Sequence, residues 1–124
     1  MVIDDQPGVR RLIAEALKQA GFNVTVATDG QEALGEIALE EPSLVILDMK
    51  MPGMNGVEFL QELRRRFLAL PVIVITAYNE LDLVEQASKL GASYYLQKPF
   101  DLEDLYHLVR QALQPRYISH QAVG

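Results

Sequence analysis

The amino-acid sequence predicts a single α/β domain in which five parallel strands alternate with five helices. The hydrophobic pattern switches repeatedly between short apolar runs and longer segments with helical periodicity. The chain has 124 residues, a length that suits one domain and leaves too little for a second hydrophobic core. Each predicted element is supported by its own local residues.

The apolar runs have the composition of buried parallel strands. They are rich in Val, Ile and Tyr, and Gly, Pro, Asp or Asn bound them. The five runs are Met1–Ile3, Val24–Ala27, Leu44–Leu47, Val72–Ile75 and Tyr94–Leu96. Because the first run is so short before the acids, we expect an original sequence to have begun a few residues before Met1.

The first helix is predicted by an apolar stripe between a proline and a glycine. Pro7 suits the first turn and Gly21 suits the exit. The apolar residues expected on one face are Val9, Leu12, Ile13, Ala16, Leu17 and Ala20. The second and third helices are predicted by acidic residues three positions after a capping residue, which are Asp29 with Glu32 and Asn55 with Glu58.

The fourth helix is predicted from about Glu80 to Leu90, with Gly91 ending it. Asp101 opens the fifth helix. Its apolar stripe comprises Leu102, Leu105, Leu108, Val109, Ala112 and Leu113. Pro115 ends this helix, so we expect a folded domain over residues 1–114 and a tail or the start of a linker over residues 115–124.

Alternating strands and helices imply right-handed crossovers and a parallel sheet with helices on both faces. For five such units in this length, the leading topology is a flavodoxin-like three-layer sandwich with strand order 2-1-3-4-5. Ligands of such sheets bind beyond the carboxyl ends of the strands, near the switch point between strands 1 and 3. The functional residues are therefore expected at that edge.

Composition excludes several function classes. There are no cysteines, so disulfides, zinc ribbons and thiol nucleophiles are absent. The net charge of −6 argues against direct binding to nucleic acid, which needs clustered Lys and Arg. No apolar run exceeds four residues, far short of the roughly 20 that span a bilayer. A soluble, cytoplasmic protein with no membrane contact is the expectation.

Polar side chains follow four of the predicted strands. Asp4 and Asp5 come after the first, Asp48 after the third, Thr76 after the fourth and Lys98 after the fifth. Each of these residues alone has an ordinary explanation as a turn, cap, strand or surface residue. Their combination at one edge of a sheet predicts a site with three carboxylates, a hydroxyl and an ammonium.

Three close carboxylates repel one another unless a cation lies between them. A site of oxygen ligands with few protein groups suits Mg²⁺, which often binds beside a phosphate. A carboxylate can also attack phosphorus and form an aspartyl phosphate. Asp48 is the best candidate nucleophile because strand 3 is central and Pro52, Gly53 and Gly56 restrain the loop that follows it.

These residues resemble the receiver domain of two-component response regulators. The resemblance runs from residue 1 to about residue 114. It rests on Asp4-Asp5, the segment from Leu47 to Gly56, Thr76-Ala77 and Lys98-Pro99-Phe100. The four-part motif is far more specific than any one of its parts.

The resemblance implies a role for each acid of the site. Asp48 would accept a phosphoryl group from a phosphohistidine on a sensor histidine kinase or histidine phosphotransferase. Asp5 would bind Mg²⁺ directly and Asp4 through water, and the Lys50 carbonyl would complete the protein ligands, which include Asp48. Lys98 would pair with the phosphate, and its peptide bond to Pro99 would be cis.

The resemblance also implies two switch residues. Thr76 would move toward the phosphate, and Tyr95, three residues before Lys98, would rotate inward with it. Tyr94 points to the other face of its strand and is the weaker candidate. Members of this family often dimerise through the helix 4, strand 5 and helix 5 face, and the sequence leaves a homodimer open.

A narrower resemblance is to the stand-alone phosphorelay receiver of sporulating bacteria. It rests on Asp4-Asp5-Gln6, Asp48-Met49-Lys50, Thr76-Ala77-Tyr78 and Glu80-Leu81-Asp82. Lys50 and Tyr78 lie two positions after Asp48 and Thr76, and we expect both to flank the phosphoryl group. Their bulk would hinder an attacking water and slow autodephosphorylation.

Other functions fit the residues less well. A haloacid-dehalogenase-type phosphatase needs an Asp two positions after its nucleophile, where this chain has Lys50. A flavin or nucleotide carrier needs a phosphate-binding loop after strand 1, where this chain has two acids. A signalling module without enzyme turnover is therefore predicted. An interaction module that is not phosphorylated, and a receiver fragment of a regulator with a DNA-binding or enzymatic output domain, remain the alternatives.

Overall fold

The computed structural model describes residues 1–51, 53–77 and 80–114. Strands and helices alternate along the chain. The strands are β1 (Val2–Ile3), β2 (Val26–Ala27), β3 (Val45–Asp48), β4 (Val72–Thr76) and β5 (Tyr94–Gln97). The helices are α1 (Pro7–Gln19), α2 (Gly30–Leu39), α3 (Gly56–Arg66), α4 (Leu81–Lys89) and α5 (Leu102–Leu113).

The five strands form one parallel sheet in the order β2-β1-β3-β4-β5. This confirms the predicted flavodoxin-like α/β fold. The sheet order places β3 at the centre, between β1 and β4. All carboxyl ends therefore point to one edge, with the ends of β1 and β3 side by side.

Two hydrophobic clusters cover the two faces of the sheet. One contains the inward side chains of α2, α3 and α4, such as Ile37, Phe59 and Ala87. The other contains those of α1 and α5, such as Ile13 and Leu105. Successive residues of β3 alternate between the two clusters, as a strand buried on both faces requires.

Local signals at the helix ends are confirmed. The Asp29 carboxylate accepts a hydrogen bond from the Glu32 N–H at 2.8 Å. Asn55 and Glu58 form a reciprocal capping box at the start of α3. Asp101 caps α5 through the Asp104 N–H, the N-terminal signal expected from its position.

Three details of the sequence prediction are wrong. Ala20 was expected on the buried face of α1, but it follows the last residue of the helix and is exposed. Leu12 was expected on the buried face of α1, but it is 53% exposed, because it lies at the margin of the apolar stripe. The second strand begins at Val26 rather than Val24, and Val26 is 41% exposed. β2 is an edge strand that pairs only with β1, so it is not buried as the central strands are. The expected end of the last helix at Pro115 and the tail over residues 115–124 lie outside the described residues.

Candidate functional site

Three carboxylates meet at the carboxyl edge of the sheet. Asp4 and Asp5 follow β1 directly, and Asp48 is the last residue of β3. One carboxylate oxygen from each residue lies within 4.8 Å of the others. The convergence predicted from the strand ends is therefore present in the structure.

Lys98 and Thr76 reach the same edge from β5 and β4. The Lys98 ammonium Nζ lies 3.9 Å from Asp48 Oδ2. The Lys98 backbone N–H donates to the Thr76 carbonyl oxygen at 2.8 Å, which fixes the start of the following loop against the end of β4. Thr76 is only 5% exposed, and the peptide bond from Lys98 to Pro99 is cis, as the family resemblance implies.

Asp48 is buried, with 6% of its surface exposed. Its Oδ1 accepts a hydrogen bond from the Lys50 backbone N–H at 3.2 Å. Burial raises the pKa of the Asp48 carboxyl to about 6, and the negative charge of Asp4 acts in the same direction. The Lys50 N–H and the Lys98 ammonium oppose this rise but do not cancel it.

Asp4 is fully buried, and only one of its two carboxylate oxygens accepts a hydrogen bond. Its Oδ1 accepts from the Gln6 N–H at 2.9 Å, whereas Oδ2 is buried with no hydrogen-bond partner in the described part of the chain. Burial is the largest cause that raises the Asp4 pKa. Asp5, next in the chain, is the least buried of the three acids.

The donor set fits a small divalent cation. A buried carboxylate oxygen without a hydrogen-bond partner costs free energy unless an ion or a water binds it. Asp4 Oδ2 is such an oxygen, and the carboxylates of Asp5 and Asp48 lie beside Asp4. Hard oxygen ligands of this kind suit Mg²⁺, which retains several waters of its own. The predicted contribution of the Lys50 carbonyl oxygen remains a prediction.

Sequence reasoning missed Glu80 as a member of this site. Glu80 is 7% exposed, and its Oε2 lies 3.1 Å from the Lys50 ammonium. Its Oε1 accepts a hydrogen bond from the Ala77 N–H, in the loop after β4. From the sequence, Glu80 is predicted at the start of α4 and belongs to the narrower resemblance, but no role is predicted for its side chain, and that side chain makes no capping hydrogen bond to the helix. The position of this acid, four residues after Thr76, was the sequence signal that could have placed Glu80 near the site.

The two tyrosines of β5 face opposite sides of the sheet, as predicted. Tyr95 packs with the cluster of α2, α3 and α4, and its hydroxyl donates to the Ala92 carbonyl at 2.6 Å. Tyr94 packs with the cluster of α1 and α5. The switch roles of Thr76 and Tyr95 remain predictions, and Tyr78 lies outside the described residues.

Comparison with known proteins decides the family. The family model described as the response regulator receiver domain matches residues 1–110, most of the chain. The chain belongs to this family.

Relatives of this receiver domain include single-domain and larger proteins. Sporulation initiation phosphotransferase F of Bacillus subtilis is 38% identical over 113 residues, which cover 91% of each protein. The transcriptional regulator NtrC of Salmonella typhimurium is 37% identical, but the receiver domain spans only 27% of its length. A solved structure of the NtrX receiver domain of Brucella abortus superposes with a TM-score of 0.86 at 31% identity, covering 90% of this chain and 95% of that one.

As a receiver domain, the protein is a signalling switch or phosphorelay intermediate, which fits a module without enzyme turnover. Receiver domains interact with histidine kinases or phosphotransferases and generally bind Mg²⁺ at an acidic pocket. In the part of the chain that the structure describes, no helix has the length and apolar character needed to cross a membrane.

Proposed function

We propose that Asp48 is the residue that accepts the phosphoryl group. The observation that carries this proposal is the position of its carboxylate, beside Asp4 and Asp5 and 3.9 Å from the Lys98 ammonium. Asp4 is completely buried, and no cation pairs with Asp5 among the described residues, so Asp48 has the better surroundings for phosphoryl transfer.

In the transfer step, an Asp48 carboxylate oxygen attacks the phosphorus of a phosphohistidine. The new bond forms between that oxygen and phosphorus, the phosphorus–nitrogen bond breaks, and the histidine takes up a proton. The donor would be a sensor histidine kinase or a histidine phosphotransferase. Because these donors are charged from ATP inside the cell, we place the reaction in the cytoplasm.

The other site residues would stabilise the transferred group. Asp4, Asp5, Asp48 and the Lys50 carbonyl would hold Mg²⁺, which would supply positive charge to the phosphoryl oxygens when bound. Lys98 is placed to pair with one phosphoryl oxygen. The Thr76 hydroxyl would donate to another, and Tyr95 would report the change to the surface of β5.

The phosphorylated state is expected to be long-lived. Lys50 follows Asp48 by two residues and Tyr78 follows Thr76 by two, and from the sequence we expect both to flank the approach to phosphorus. A slow autodephosphorylation suits a relay that passes its phosphoryl group to a second histidine. The relative from Bacillus subtilis, which matches the receiver domain over 91% of its own length, supports this relay role.

The relatives of the NtrC type support a second reading of the same site. In that case the receiver domain would control a DNA-binding or enzymatic output domain of a longer regulator. The chemistry at Asp48 would be identical, and only the recipient of the signal would differ. Dimerisation through α4, β5 and α5 also remains a prediction.

Intact-mass measurement tests the acceptor. We expect incubation with phosphoramidate and Mg²⁺ to add one phosphoryl group, and we expect Asp48→Asn or removal of Mg²⁺ to abolish the gain. Asp82→Asn changes an exposed acid on α4 in the same way and should leave the gain intact. Full phosphorylation of the Asp48 variant would rule out Asp48 as the acceptor. The decay of the product after the donor is removed gives the phosphoryl lifetime.

A further inference from the structure

Glu80 is a buried acid with two contacts that no catalytic role explains. Only 6% of its side chain is exposed. One carboxylate oxygen accepts from the Ala77 N–H, and the other forms an ion pair with the Lys50 ammonium at 3.1 Å, without hydrogen-bond geometry. Burying a carboxylate costs free energy unless its partners compensate. Here one partner is a lysine whose side chain is 70% exposed.

Such a pair adds little to stability. Because Lys50 is largely exposed, solvent screens the pair, and holding the long lysine side chain in one place costs entropy. A hydrophobic residue at position 80 would avoid the cost of desolvating the acid. The contact is therefore better explained by what it does to Lys50 than by its contribution to the fold.

The pair joins the two loops on either side of Asp48 and Thr76. Lys50 begins beside the acceptor, because its backbone N–H donates to Asp48 Oδ1 at 3.2 Å. Its side chain ends at Glu80, which is tied to the residue after Thr76. β3 and β4 are adjacent strands, so the Lys50 side chain crosses from the end of one to the end of the other. Most of the Lys50 side chain between these two points is exposed to solvent.

We propose that Glu80 is a positioning residue that holds Lys50 across the opening of the site and so limits the access of water to the phosphoryl group. This inference rests on the proposed role of Asp48. Without the tether, an exposed lysine samples many rotamers and leaves the opening uncovered for much of the time.

The reaction that the tether slows is hydrolysis of the aspartyl phosphate. A water oxygen attacks phosphorus, the bond between phosphorus and the Asp48 oxygen breaks, and the carboxylate is restored. Dihydrogen phosphate leaves with both protons of the water. Water must approach phosphorus from the side opposite the Asp48 oxygen, so a side chain held over the solvent side of the site lowers the rate.

The lifetime of the phosphorylated protein tests this proposal. Glu80→Gln keeps an oxygen for the Ala77 N–H but removes the charge that holds Lys50. We expect its phosphoryl group to decay about threefold faster or more, because the uncharged amide no longer attracts the Lys50 ammonium. Lys50→Met should accelerate decay as well. The double variant should decay no faster than Lys50→Met, because Glu80 acts through Lys50.

Matched controls separate positioning from a general loss of structure. Glu85→Gln changes an exposed acid on α4, and Lys89→Met changes an exposed lysine on the same helix. The phosphoryl group of both variants should be lost at the same rate as that of the unmodified protein. Melting temperatures identify folded variants, and Glu80→Asp, which shortens the reach to Lys50, replaces Glu80→Gln should the latter not fold.

Two results would overturn the inference. One is an unchanged or slower decay in a folded Glu80→Gln or Glu80→Asp variant, and the other is additive acceleration in the double variant. Failure of the unmodified protein to take up any phosphoryl group would instead refute the proposed role of Asp48. The two failures are therefore distinguishable in one set of samples.

Discussion

Burial of Asp48 couples its ionisation to the stability of the fold. Its pKa of about 6 lies above the ordinary value of 3.8, so the folded protein binds a proton at this site more tightly than the unfolded chain does. An acceptor carboxylate must be ionised to attack phosphorus. A cation bound among Asp4, Asp5 and Asp48 would favour that ionised form.

The metal-free protein should therefore lose stability as the pH rises from about 4 to about 6. The protonated Asp48 contributes fully below pH 4, and this contribution is lost as the pH passes the folded pKa. Asp48→Asn replaces the buried charged carboxylate by a neutral amide and so removes the cost of burying that charge. We therefore expect the variant to be more stable than the unmodified protein at pH 7, by up to about 3 kcal/mol. Urea unfolding in EDTA at several pH values measures the difference.

The pH dependence of that difference is the decisive feature. It should be small at pH 4, grow to about pH 6 and then remain constant. Asp82→Asn, at an exposed position, should show no such growth. A gain in stability that is the same at pH 4 and pH 7 would mean that Asp48 does not titrate in this range.

Single residues were predictable where the strand pattern alone placed them. Asp4, Asp5, Asp48, Thr76 and Lys98 all follow or end a strand, and parallel strands bring such residues to one edge. Glu80 was not predictable in this way. An acid before a helix has a simpler local explanation, and its contact with Lys50 depends on the paths of two loops.

At the scale of elements, the helix starts were the most predictable features because caps are local. Asp29, Asn55 and Asp101 each bond to a backbone N–H three residues on. Leu12 and Val24 were misjudged because their environment depends on distant parts of the chain. A side chain at the margin of the apolar stripe of a helix is buried only if the sheet extends beneath it. The local sequence pattern does not show where the sheet ends.

The start of α3 shows how tightly the loop after Asp48 is packed. Gly56 is buried, and a Cβ at this position would lie 2.7 Å from the Met49 Cα and 2.6 Å from its Sδ. We expect Gly56→Ala to lower the free energy of unfolding by about 1 to 3 kcal/mol, because a backbone atom must shift. It should also slow phosphorylation, since Met49 adjoins the acceptor. Chemical unfolding and intact-mass kinetics measure the two effects.

Gly35 provides the matched control within α2. It is exposed, and no heavy atom lies within 4 Å of a Cβ built there. Gly35→Ala should raise stability by about 0.5 to 1 kcal/mol through helix propensity, and it should leave phosphorylation unchanged. Equal effects at both positions would show that contact with Met49 is unimportant.

At the scale of the whole molecule, the acidic site should link stability to Mg²⁺. A ligand that binds only the folded state at ten times its dissociation constant adds about 1.4 kcal/mol. We therefore expect millimolar MgCl₂ to raise the melting temperature by several degrees, because the cation offsets repulsion among the three carboxylates. Calorimetry with and without EDTA measures this shift.

NaCl at matched ionic strength should give a much smaller shift, since screening alone does not fill the site. Asp5→Asn removes one carboxylate and should reduce the Mg²⁺ effect while leaving the fold intact. If Mg²⁺ does not change the melting temperature of the unmodified protein, the proposal that the three carboxylates bind Mg²⁺ is wrong.

The strand order also has a consequence for synthesis on the ribosome. β3 pairs with β1, which precedes it, and with β4, which follows it, so the first three strands can assemble before the second half of the chain exists. The nascent segment would already bring Asp4, Asp5 and Asp48 together, whereas Lys98 is translated 50 residues after Asp48. During that interval cellular Mg²⁺ could supply the positive charge that Lys98 cannot yet provide. The order in which the strands are made thus makes the metal a candidate aid to co-translational folding.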